Sequence, residues 1–370
     1  MKKPIITAVV DALPHTVPFV GPEQMERQRG RPFRARLGAN ESAFGPSPKA
    51  EAAIVAAARE TWKYCDPENH DLRAAVARLH RVGIENVVIG EGIDGLLGLA
   101  VKIAADPGTP VVTSDGAYPT FNFHVAVQGA RLVKVPFRDD REDLDALLAA
   151  AVREQARVLY VSNPNNPMGS WWPAKDLERL IQALPAGLLL LLDEAYCDTA
   201  PGDSVPAIDI ANPQVLRLRT FSKAYGLAGA RIGYAVGEAG LIANFEKVRN
   251  HYGINRTGQI AALAAVEDQP HLAAAVAAIA RSRERIAQIA RASGLEPLPS
   301  ATNFVAVDCG RDGNFAKSVL DELIARDVFV RKPAAPGLDR CIRISCGLDH
   351  ELDILAEVLP AALDAARKAT

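Results

Sequence analysis

Leu188-Leu189-Leu190-Leu191-Leu192-Asp193-Glu194-Ala195-Tyr196 is the stretch on which the fold turns. An unbroken apolar run that stops on two carboxylates reads as a strand covered on both faces, because a half-wet strand would alternate polar and apolar residues. Downstream, Val215 to Thr220 repeats the pattern and leads into Phe221-Ser222-Lys223, and the glycine-rich segment Gly226 to Gly233 that follows holds a single arginine, Arg231. Upstream, the strand Val158 to Ser162 ends in Asn163-Pro164-Asn165-Asn166-Pro167. Asn163, Asp193 and Lys223 therefore each stand just past a buried strand. Their spacings are equal, 193 − 163 = 30 and 223 − 193 = 30 residues, about one strand–helix unit each.

The same alternation runs outward in both directions. Ser47 and Pro48 read as N-cap and first-turn proline of an alanine-rich helix reaching Trp62, and Asp71 as the cap of a helix ending near His80. Val87 to Ile89 is a strand, Gly90 to Gly95 a turn, and Leu96 to Ala105 a helix. Strands at 110–114 and 132–136 alternate with helices ending near Gln128, at 144–154 and at 175–183. This order predicts an α/β fold with a large domain whose mostly parallel sheet is sandwiched by helices, binding its ligand at the carboxyl ends of the strands. After Gly253 come two long alanine-rich helical patterns (258–268 and 271–292). Short strands at 303–307, 328–331 and 341–345 and helices at 315–326 and 350–366 then predict a small α+β domain. The division expected is 1–44 as N-terminal arm and small-domain segment, 45–253 as large domain, and 254–370 as linker helix and small C-terminal domain.

A chain of 370 residues exceeds the usual single-domain size. Its 42 Lys and Arg nearly balance 44 Asp and Glu, which argues against a nucleic-acid partner. No apolar run approaches the roughly 18 residues of a membrane span. Met1-Lys2-Lys3-Pro4 begins basic but no leader-like apolar core follows. The five cysteines are scattered without a CxxC pair, so neither a metal site nor a disulfide framework is expected, and the compartment expected is the cytoplasm.

The candidate chemistry follows from position. Gly92-Ile93-Asp94 lies at a helix start, where unpaired N–H groups and the helix dipole favour an anion. Thr220, Ser222 and Arg231 add two hydroxyls and a guanidinium, a set suited to phosphate. A lysine among such groups suits a Schiff base, and a carboxylate opposite it suits a ring nitrogen that must stay protonated. Together they match pyridoxal phosphate. Taken singly, each has a structural reading: Asp193 as a turn cap, Ser222-Lys223 as a helix start, the 163–167 segment as a turn.

Three segments carry a family resemblance: Ser162 to Gly169, Asp193-Glu194-Ala195-Tyr196, and Thr220 to Gly233. They resemble the fold-type-I class I/II aminotransferases (aspartate aminotransferase-like), and within them the histidinol-phosphate aminotransferase branch. Ala39-Asn40-Glu41-Ser42, Lys63-Tyr64-Cys65-Asp66-Pro67, Ala117-Tyr118-Pro119-Thr120-Phe121, Val330-Arg331-Lys332-Pro333 and Ile342-Arg343-Ile344-Ser345-Cys346-Gly347 are similar to that branch in order.

The resemblance implies that Lys223 carries the cofactor as a Schiff base and moves the substrate proton, while Asp193 keeps the pyridine nitrogen protonated. It implies that Tyr196 and Asn163 bind the phenolic oxygen, and that Tyr118 stacks on the ring. Thr220, Ser222, Arg231 and the backbone at Ile93 and Asp94 hold the phosphate. Tyr64 reaches the partner subunit's site in a homodimer with shared active sites. Arg343, Arg331 and Asn40 bind substrate. The implied activity is transamination between histidinol phosphate and 2-oxoglutarate. The alternatives are an aminotransferase for aromatic or other amino acids and a related phospho-amino-acid decarboxylase. A cofactor-sensing module would need a DNA-binding segment, and none fits before residue 37. The chain departs from the branch in two places. Leu13 to Pro22 lacks the Pro-Tyr-x-Pro-Gly tyrosine, with Phe19 or His15 available to substitute, and 347–351 lacks the Glu-Glu-Asn.

Overall fold

In the computed structural model, which describes residues 5–14 and 20–369, Leu189–Asp193 is the central strand of a seven-stranded sheet. The order is Val87–Gly90, Gly233–Val236, Val215–Thr220, Leu189–Asp193, Val158–Ser162, Pro110–Ser114, Arg131–Val135. Only Gly233–Val236 runs against the others. Met1 to Pro4, and His15 and Phe19, lie outside the described residues.

The leucine run explains the layering. Successive side chains of a strand point to opposite faces. Leu189 and Leu191 pack with Leu96, Leu97 and Phe121 on one side, while Leu190 and Leu192 pack with Leu147, Leu177 and Leu180 on the other. Helices cover both faces, so no side of the strand needs polar residues. The mostly parallel sheet expected from sequence is the one observed.

The remaining elements follow the expected order with local differences. Ser47 caps Pro48–Ala57 by accepting from the Ala50 N–H at 3.1 Å, but the α-helix stops at Ala57 and a 3₁₀ turn, Ala58–Glu60, follows. Asp71 does not cap the next helix, which begins at His70. Asn69 precedes it in a left-handed conformation, and Asp66 accepts from the His70 N–H at 2.8 Å. The glycine-rich segment, for which the sequence predicts no element, delivers the reversed strand Gly233–Val236. Gly226, at φ +70°, lies so close to the 44–46 turn that a Cβ would sit 2.2 Å from the Gly45 carbonyl oxygen, so only glycine lets the Lys223 turn pack there.

Toward the C-terminus, Cys341–Ser345 pairs antiparallel with Phe304–Asp308, which also pairs with Glu296–Pro297. Ala35–Arg36 pairs in parallel with Val328–Phe329, and Ala35 and Leu37 join the core of the C-terminal elements. Leu272, on the 24-residue helix Gln269–Ala292, packs against both this core and the one beside the large sheet. Among the described residues no helix is long and apolar enough to cross a membrane.

Candidate active site

Strand register brings the candidate residues together. Ser162 pairs with Asp193, and Gly233 is flanked by Gly90 on one side and Thr220 on the other. The start of helix Gly92–Ala104 therefore faces the turn that carries Lys223. Between them lies a cavity of about 360 Å³ lined by Asp94, Tyr118, Asp193, Tyr196, Lys223 and Arg231, among others. A second cavity, about 730 Å³, shares Ala39, Tyr118, Asn166 and Lys223 with the first and is bounded by Arg331 and Arg343.

At one end, Arg231 holds the anion cradle. It sits at φ +55° with Nη1 3.4 Å from Ser222 Oγ and Nη2 3.2 Å from Asp94 Oδ2. Gly92, at φ +73°, leaves room for it, since a Cβ there would lie 2.6 Å from Arg231 Nη2. Thr220 Oγ1 accepts from the Ser222 N–H at 3.0 Å, fixing the turn. Ile93 and Asp94 occupy the first helical turn, whose N–H groups lack intrahelical acceptors. The Tyr118 hydroxyl donates to Asp94 Oδ1 at 2.8 Å, and burial together with that carboxylate raises its pKa.

Asp193 and Glu194 show what strand alternation does to two adjacent carboxylates. Glu194 turns away from the cavity and is held by Arg217 and by Arg219 Nε at 2.8 Å, so its charge is neutralised internally. Asp193 faces the cavity with no ion pair among the described residues. Its Oδ2 accepts from the Tyr160 hydroxyl at 2.7 Å and its Oδ1 from the Ala195 N–H at 2.9 Å. Burial pushes its carboxyl up to about 6. A buried carboxylate without a cation is completed by a cationic ring nitrogen. Lys223 Nζ donates to the Asn40 carbonyl at 3.0 Å and lies 5.7 Å above the Tyr196 ring.

Two expected roles change. Asn163 stands at its strand end as the spacing requires, but its Nδ2 donates to the carbonyls of Trp172 at 3.1 Å and Ser204 at 2.9 Å. Its Oδ1 accepts from the Trp172 N–H at 2.7 Å. The carboxamide is thus consumed in holding a loop, and Asn163 lines neither cavity. Asn166, three residues on, lines both. Equal spacing fixed a backbone position but not the side chain's direction. Asn40 lines the larger cavity, yet its Nδ2 donates to the Tyr196 hydroxyl at 3.2 Å and its Oδ1 accepts from Ser345 Oγ at 3.0 Å, so its carboxamide braces other residues.

Sequence reasoning missed Asn166 and Tyr160. The signal for Tyr160 was a lone aromatic ring with a hydroxyl inside an otherwise aliphatic buried strand. Glu142 was also missed. It accepts from the Ser162 N–H at 3.1 Å and Asn165 Nδ2 at 3.0 Å, and burial pushes its carboxyl up to about 8.

Arg343 is half-buried, and its Nη1 donates to Asn166 Oδ1 at 2.6 Å. Burial lowers its guanidinium to about 10. Arg331 bridges Arg343 through the backbone, and its Nη2 donates to the Val20 carbonyl at 2.9 Å. Tyr64 lies outside both cavities, exposed on the surface with its ring centroid 4.8 Å from that of Tyr252. An anion cradle, a buried carboxylate, a lysine and an aromatic wall in one cavity fit a phosphorylated pyridine aldehyde.

The profile of the family described as aminotransferase class I and II matches residues 35–359. The chain belongs to the class I and II aminotransferases. Among its curated relatives, the histidinol-phosphate aminotransferase 1 of Mesorhizobium japonicum is 36% identical to this aminotransferase, covering 90% of this chain and 92% of the relative. The histidinol-phosphate aminotransferase of Roseiflexus castenholzii is 35% identical, covering 95% and 96%. The crystal structure of histidinol-phosphate aminotransferase from Sinorhizobium meliloti in complex with pyridoxal-5'-phosphate has a TM-score of 0.95 at 54% identity, covering 99% of this chain and 98% of that one. An aspartate aminotransferase from Thermus thermophilus, 22% identical with a TM-score of 0.81, shares the fold.

The two asparagines of the 163–167 turn are separable in this aminotransferase. Asn163→Ala is expected to cost roughly 2–4 kcal/mol of stability, because it leaves buried backbone groups unpaired. Asn166→Ala should leave the melting temperature near the parent value and lower kcat/KM by about 10- to 100-fold. Thermal denaturation and steady-state kinetics on both variants check the assignment.

Proposed function

We propose that this aminotransferase uses pyridoxal phosphate to exchange an amino group between histidinol phosphate and a 2-oxo acid, 2-oxoglutarate in the first instance. The observation that carries the donor is the pairing of Arg331 and Arg343 at the wall of a cavity that also holds Lys223. Two adjacent guanidiniums, one of them held on Asn166, suit a substrate with a dianionic phosphate. The similarity to proteins named histidinol-phosphate aminotransferase supports the same donor.

Bound here, pyridoxal phosphate supplies an electron sink for the charge left when a bond to the substrate Cα breaks. The chain's own groups do the rest. Arg231, Ser222, Thr220 and the N–H groups of Ile93 and Asp94 bind the phosphate. Asp193 holds a proton at the ring nitrogen. Tyr196, with Asn166 in the place first given to Asn163, binds the phenolic oxygen, and Tyr118 covers the ring. Lys223 Nζ carries the cofactor and moves the proton at Cα. Asn40 positions Lys223 and Tyr196. Tyr64 completes the partner's phosphate site in a cytoplasmic homodimer. The division of the chain near residues 44 and 253 belongs to the same proposal.

The test is a single-turnover absorbance experiment with histidinol phosphate and no keto acid. Loss of the bound cofactor's visible band on mixing is the expected result. A band that histidinol phosphate leaves unchanged while other amino acids bleach it would remove this donor, and carbon dioxide release without keto-acid formation would replace transamination by decarboxylation.

A further inference from the structure

Asn122 lies on the helix Pro119–Val127, one turn beyond Tyr118, and lines the larger cavity. Phe121 and Val125 form the buried face of that helix, with Phe121 stacked on Tyr160 at 4.3 Å. Asn122 is thereby set beside Pro119 on the cavity side. Its Oδ1 is buried without a hydrogen-bond donor.

The neighbouring polar groups are engaged. Lys134 pairs with Asp115 at 3.1 Å, and Lys332 Nζ donates to the Asp339 carbonyl at 2.8 Å. Arg343 is on Asn166, and Asn40 is on Tyr196 and Ser345. A buried carboxamide oxygen left without a partner is unfavourable until a ligand or water supplies one.

We propose that Asn122 is a specificity-determining residue that reads the side chain of the amino donor. A carboxamide is neutral and offers both a donor and an acceptor, and a half-turn about its last torsion exchanges them. Its complement is a neutral ring carrying an N–H and a bare nitrogen, as imidazole does. An acidic side chain is matched instead by the Arg331 guanidinium along the same cavity. The inference rests on the substrate reading above and adds a residue to it.

The experiment uses the cofactor-loaded enzyme and two variants, Asn122→Leu, close in size, and Asn122→Ala, which suits a helix. Single-turnover rates are measured with histidinol phosphate, histidine, phenylalanine and glutamate. The expected result is a loss of about 10- to 100-fold in kcat/KM for the imidazole donors. Phenylalanine should be unchanged or improved, and glutamate should stay within about twofold of the parent. An equal loss for every donor, or none for the imidazole donors, overturns the inference while leaving the substrate reading in place. A parent that reacts with histidine but not histidinol phosphate removes the substrate reading alone, and the ratio of histidine to phenylalanine then decides the inference. A parent that reacts with neither imidazole donor overturns both.

Discussion

Lys223→Ala is expected to lower transamination by about 10⁴-fold or more, because in the proposed mechanism the same Nζ serves as nucleophile and as proton carrier. The position is built for one reach. The Val215–Thr220 strand ends in a turn closed by the Gly226 N–H on the Lys223 carbonyl at 2.9 Å and the Leu227 N–H on the Phe221 carbonyl at 2.9 Å. From that turn Nζ spans to the Asn40 carbonyl. Removing the side chain leaves Arg231, Ser222 and Thr220 untouched, so the variant should still take up pyridoxal phosphate, measured by equilibrium dialysis. It should also melt within a few degrees of the parent. Steady-state turnover near the parent value would sink the assignment, and uptake without turnover would establish it.

Much of this arrangement was legible in the sequence because a buried parallel strand is written as an uninterrupted apolar run. Its end is where the first polar residue appears. Asp193 and Lys223 could be placed that way, and so could the helix start at Gly92. Side-chain direction could not. Asn163 and Asn166 are the same residue type three positions apart in a proline-bounded turn, and only the carbonyls of Trp172 and Ser204 decide which one is consumed. Asn40 was similarly ambiguous, since its partners Tyr196 and Ser345 lie 156 and 305 residues away in the chain. The reversed strand at Gly233 was hidden by the glycine-rich composition, although Gly233 itself serves the close approach to Gly92 and Arg219. Tyr64 received its expected role only from the family resemblance, and in the described chain it stays on the surface.

Asp193→Asn is expected to act in opposite directions on stability and turnover. In the folded chain burial raises this carboxyl from its ordinary 3.8 to about 6. Between those values the folded state binds more protons than the unfolded one, so the contribution to stability falls as pH rises through that window. Above pH 6 the cofactor-free protein carries the full cost of an ionised, buried carboxylate without a cation. Asparagine removes the charge and keeps polar contact with Tyr160 and the Ala195 N–H. At pH 7 the cofactor-free variant should therefore be more stable than the parent by roughly 1–3 kcal/mol, and the difference should vanish below about pH 4. Turnover should drop by about 10³-fold, because a neutral carboxamide does not hold a proton on a ring nitrogen. Denaturant unfolding of the cofactor-free proteins at pH 4 and 7, beside kinetics of the loaded enzymes, reads both effects. A variant less stable than the parent at pH 7 would mean that Tyr160 and the Ala195 N–H already compensate the charge. A variant with unimpaired turnover would mean that the ring nitrogen lies elsewhere. The two results are independent, so the experiment separates what the fold tolerates in this carboxylate from what the chemistry requires of it.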